Sequence, residues 1–132
     1  MQTLGWLASM VWWATWPAVV IGVLVPIVAV VRGGPPAAPA PGILVAMFLP
    51  AIALLVWSAL LYGQARSGAT ATAITVVHLA LALGGTGLTG RLAWRARGTG
   101  RAWLLVVQFA AALPVTAIAW FIGGMALSDV WL

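Results

Sequence analysis

Four long apolar runs, separated by short segments rich in glycine, proline and arginine, set the plan of this chain. The first runs uncharged over residues 4–31, longer than the ~20 residues that cross a hydrocarbon core. It has to tilt, bend or protrude. Pro17 and Pro26 each remove a helix hydrogen bond and predict a kink near Ala14 or Gly22. Residues 33–42 (GGPPAAPAPG) are too proline-rich for a helix and read as an extended, polyproline-like connector. Further spans are predicted over residues 43–63, 72–90 and 102–127, divided by GQARSGA and by the arginine-rich RLAWRARGTGR loop of residues 91–101. The expected fold is an all-α integral membrane protein, one bundle of four transmembrane helices that occupies residues 1–132 as a single membrane domain.

A cleavable signal peptide is the rival reading of the first run, because Ala38-Pro39-Ala40 has a small-x-small pattern. No basic residue precedes the run, the run is about twice the usual apolar length, and proline follows the supposed site; all three oppose cleavage.

Composition agrees with a lipid environment: 64% of residues are hydrophobic and 5% charged, against roughly 25% charged in soluble domains. The net charge of +5 would point to nucleic acid in a soluble protein. Here four of the six arginines lie in one loop between apolar runs, which is the pattern of membrane orientation. Arg32, Arg91, Arg95, Arg97 and Arg101 fall on one side and Arg66 alone on the other, so the linker 33–42 and the loop 91–101 are assigned to the cytoplasm and both termini to the non-cytoplasmic side. Arg91, Arg95, Arg97 and Arg101 are also placed to contact anionic lipid. Absence of lysine, with abundant alanine, glycine and proline, resembles the codon bias of a GC-rich bacterial genome, which places the protein in a bacterial inner membrane.

Lipid tails are as apolar as leucine, so helices in a membrane associate through close packing at small residues. Three candidate faces follow: Ala112, Thr116, Ala119 and Gly123 on the fourth span, Ala80, Gly84 and Gly87 on the third, and Ala18 and Gly22 on the first. Each alone is also what chance would give in so alanine- and glycine-rich a chain.

His78, the only histidine, lies inside the third span about 9 Å from the outer boundary. An ionisable residue there is a candidate for ligating a haem or chlorophyll-type macrocycle or for relaying protons. The blander reading is an imidazole hydrogen-bonded to a neighbouring hydroxyl, Thr75 being nearest along the helix. Ser58, Thr116, Thr15 and Trp16 come near its depth, whereas Gln108 lies toward the opposite boundary and is not expected to pair with it. Seven of the nine tryptophans belong to the outer half. Trp13, Trp16 and Trp57 are the candidates for contacting lipid, quinone, carotenoid or (bacterio)chlorophyll, against the alternative of an extended interfacial belt.

No cysteine is present, and Asp129, the single acid, sits at the outer end. The spans therefore lack paired carboxylates, thiolate sites and nucleophile–base sets, and no enzyme is expected. Proton-coupled cation export, which needs a carboxylate within the membrane, is disfavoured for the same reason. The leading expectation is a non-catalytic accessory subunit of a larger respiratory or photosynthetic inner-membrane complex, with other integral membrane subunits and lipids as partners and no nucleic acid. A homo-oligomeric channel or transporter and a pigment- or haem-contacting subunit using His78 are the alternatives.

Overall fold

The computed structural model describes residues 2–31, 41–65, 67–98 and 102–129. Every backbone N–H and C=O within a bilayer must find a partner inside the protein, and helices do this locally. Accordingly the described residues form helices joined by turns: α1 (Gln2–Val31), α2 (Pro41–Ala46), α3 (Leu49–Leu60), α4 (Ala69–Ala96) and α5 (Trp103–Ser128). With α2 and α3 counted as one interrupted span, four segments are long and apolar enough to cross a membrane, the signature of a multi-pass membrane protein.

Prolines decide where these helices break. In α1 the helical geometry is lost at Thr15 (φ −131°, ψ 16°), two residues before Pro17, whose ring excludes the hydrogen bond to the Trp13 carbonyl. Thr15 Oγ1 donates back to the Val11 carbonyl at 2.6 Å, which holds the bend from inside. The second span is not continuous, as its apolar run suggested. It turns at Met47 and Phe48 because Pro50 offers no N–H to the Ala46 carbonyl. Phe48 N–H reaches only to the Val45 carbonyl (3.1 Å), and Ile52 N–H restarts the ladder on the Phe48 carbonyl (3.2 Å).

Two boundaries differ from the expectation. Pro41 and Gly42 belong to α2 rather than to an extended connector; proline is well suited to a helix start, where its missing N–H leaves nothing unpaired. Residues 33–40, the rest of that connector, lie outside the described residues, as does Arg32. The segment expected as an arginine-rich loop continues α4 as far as Ala96, so Arg91 and Arg95 stand on helix. Leucine, alanine and arginine favour helix, and the first glycine in that stretch is Gly98.

The bundle runs up and down. Gly22, Leu44 and Gln108 meet at one level, while Ser58, His78 and Gly123 meet at another, nearer the end formed by the α3–α4 connection. Two core clusters correspond: Val25, Ala29, Leu44, Met47, Leu104 and Leu105 toward the arginine side, and Val11, Ala51, Leu54, Ala82, Val115 and Ala119 beyond it. The Phe48 ring packs against both. A side chain at Gly22 would force that ring to move, so glycine gives α1 its close approach to Phe48 there. α5 packs against α1, α3 and α4 alike, and its small residues Ala112, Thr116, Ala119 and Gly123 are all buried.

At the far end, the turn after α3 closes α5. Gly63 N–H donates to the Ala126 carbonyl and Ala65 N–H to the Leu127 carbonyl, each at 2.9 Å, pairing two of the acceptors a helix C-terminus leaves open. Asp129 ends the helix in the left-handed region (φ 52°) and accepts the Tyr62 hydroxyl at 2.9 Å.

The third-span face requires correction. Ala80, Gly84 and Gly87 are exposed, and a Cβ added at Gly84 or Gly87 would meet open space. The inward line of α4 is Ile74, His78, Ala82, Thr89 and Ala96, displaced by two positions and so roughly 160° round the helix. Gly85 makes the close approach instead, because a Cβ there would strike the Pro50 ring of α3.

Candidate functional site

Two buried polar side chains reach from one helix to another, at two levels of the bundle. At the first, His78 is 3% exposed and its Nε2 lies 2.9 Å from the Trp120 carbonyl of α5. A carbonyl can only accept, so Nε2 carries the proton and a neutral ring keeps its lone pair at Nδ1. That atom is enclosed without a partner among the described residues. Thr75, the neighbour expected to serve the imidazole, donates instead to the Ala71 carbonyl at 2.9 Å. The bond that His78 makes therefore joins two helices rather than two turns of one.

Gly123 fits between α3 and α4 at this level. A Cβ there would overlap Ser58 Oγ and come within 2.9 Å of His78 Cε1. Ser58 donates to the Leu54 carbonyl at 2.7 Å and Thr15 to that of Val11, so both hydroxyls are engaged by their own helices. Thr116 is buried on α5. A cavity of about 410 Å³ opens beside His78, where Thr75 and Ser128 are the other polar lining residues and Leu79, Trp120, Phe121 and Met125 the large apolar ones.

At the second level sits a residue to which sequence reasoning gave no role. Gln108 of α5 is 0% exposed, and its Nε2 donates at 2.9 Å to both the Gly22 and the Leu44 carbonyls. Each of these carbonyls lacks its helical donor. Gly22 would be served by the N–H of residue 26, which is proline. Leu44 would be served by Phe48, whose N–H has gone to Val45 at the interruption before Pro50. One amide thus ties α5 to α1 and α2 by filling both gaps, while its Oε1 is buried without a partner among the described residues. The signal was present in the sequence: a single glutamine in an apolar span, with a proline four residues after a glycine in another.

The tryptophans do not converge. Trp13 is 77% and Trp16 52% exposed on α1, whereas Trp57 is partly buried and its indole N–H is enclosed without a partner among the described residues. The three therefore do not line one pocket, contrary to a shared cofactor role. Trp6 and Trp13, seven residues apart, share one exposed face of α1, and Trp16, also exposed, follows them beyond the bend at Thr15.

Toward the other end, Arg91 and Arg95 are exposed one turn apart on α4. Arg97 lies over the Trp94 ring, its Cζ 3.5 Å from the centroid, a cation–π contact. Arg101 lies outside the described residues. Among the described residues no group of three or more histidine, cysteine or acidic side chains could hold a metal ion. No protein-family model matches this sequence, and neither the curated proteins nor the solved structures compared with it yield a significant match.

Proposed function

We propose that the chain is a non-catalytic subunit of a larger assembly in a bacterial inner membrane, with both termini on the non-cytoplasmic side, and that it joins that assembly through the tryptophan face of α1. The observation that carries this is the exposure of Trp6, Trp13 and Trp16 along α1 over about 15 Å of depth, half the hydrocarbon core and deeper than an interfacial belt. Aromatic rings are favoured anchors of protein interfaces because they bury large area at small conformational cost.

The buried polar groups support the same reading from the other direction. Gln108 and His78 link helices, and Ser58 and Thr15 bond within their own, so these side chains hold the bundle rather than present a reactive set. Ligation of a macrocycle through His78 Nε2 would have to displace the Trp120 carbonyl, and the lone pair at Nδ1 is enclosed by the bundle; together these set the pigment reading below the accessory one. Purification in mild detergent tests the proposal. Stoichiometric heterologous membrane proteins are expected with the tagged chain; a single-component oligomer would favour a channel or transporter instead.

A further inference from the structure

Between α3 and α4, on the side of α4 that faces away from α5, runs an open apolar groove of about 370 Å³. Pro50 and Ala53 line it from α3 and Ala80, Gly84 and Gly85 from α4, with leucines between them, and Leu88 and Leu92 continue it toward the arginine end. From Ala80 to Leu92 the groove covers about 18 Å of helix, close to the ~15 Å depth of one leaflet. Gly84 and Leu88 are followed in the same four–three–four rhythm by Arg91 and Arg95, both exposed. Those two guanidinium groups are therefore borne on the helix sector that lines the groove, on either side of Leu92 at its end. Arg97 falls on the opposite side, over Trp94.

We infer that this groove is a binding site for one anionic phospholipid of the leaflet on the arginine side, with an acyl chain laid along Ala80, Gly84 and Leu88 and the phosphate held by Arg91 and Arg95. Three features select this occupant. The length matches a single leaflet, the glycine, alanine and proline in its lining admit a methylene chain close to the backbone, and Arg91 and Arg95 stand at the end where a headgroup phosphate would lie. Arginine suits that phosphate because its planar donors bond two oxygens at once. The inference is independent of any partner at α1, since the groove and the tryptophan face lie on different helices.

The test is native mass spectrometry of the full chain in neutral detergent, titrated with phosphatidylglycerol and with phosphatidylcholine of the same acyl chains. Phosphatidylglycerol should bind at one site and more tightly than phosphatidylcholine. Arg91→Gln with Arg95→Gln should weaken it about 30-fold, roughly five-fold for each arginine, while Arg97→Gln should leave it unchanged. Gly84→Leu, whose side chain enters open space in the groove and not the core, should weaken both lipids. Equal affinity for the two lipids, an equal loss in Arg97→Gln, or undiminished binding in Gly84→Leu would overturn the inference. So would a second copy of the chain bound in place of lipid.

Discussion

Gln108 donates to the Gly22 carbonyl across 2.9 Å, and that carbonyl is open because Pro26 stands where its helical donor would be. A proline in one span and a glutamine in another are thus two halves of one contact. Gln108→Leu should destabilise the bundle by ~1–3 kcal/mol, the usual cost of leaving buried acceptors unpaired. Pro26→Ala restores an N–H beneath Gly22, so the same change in that background should cost ~0.5–1 kcal/mol less. Denaturant unfolding of the four variants in micelles measures this coupling. Equal cost in both backgrounds would show that Gln108 does not act through Gly22.

Gly123→Leu forces a side chain into Ser58 and His78 and should cost ~1–3 kcal/mol as overpacking commonly does. Gly84→Leu places the same side chain in open space and should be neutral or slightly stabilising, leucine being the better helix former. Thermal unfolding of both in detergent separates a face inside the bundle from one outside it.

His78 should hold its proton on Nε2, because only that nitrogen faces the Trp120 carbonyl. Nitrogen-15 NMR of labelled histidine distinguishes the two ring positions, and a protonated Nδ1 with a bare Nε2 would contradict the geometry. Replacement by leucine should lower stability by about 0.6 kcal/mol, the average for such bonds in membrane bundles.

Orientation rests on the arginine asymmetry. A cysteine at Ser67 should react with an impermeant reagent in intact spheroplasts, and a cysteine at Thr99 only after the membrane is opened. The reverse pattern would place the termini in the cytoplasm.

The four spans were legible because apolar length alone identifies a membrane helix. The bend in α1 was legible from Pro17. The break before Pro50 was not read, since it lies inside an apolar run whose length is already sufficient for crossing. Ala80, Gly84 and Gly87 have the spacing of an interface yet face outward. Spacing shows that residues share a face, and the close approach of Gly85 to Pro50, together with the bond from His78 to Trp120, decides which face turns in. Thr75 was the obvious partner for His78 by proximity along the chain, but its hydroxyl already has a carbonyl in its own helix. In an apolar helix a hydroxyl finds such a partner one turn back, whereas an imidazole reaches across.

Site-specific photo-crosslinking in cells reads whether α1 meets a protein partner at its exposed tryptophans. A benzophenone amino acid in place of Trp13 should give a discrete, higher-mass protein adduct. The same group at Val76, an exposed position on α4, should give none. Adducts of equal yield at the two positions, or lipid alone at Trp13, would contradict the account.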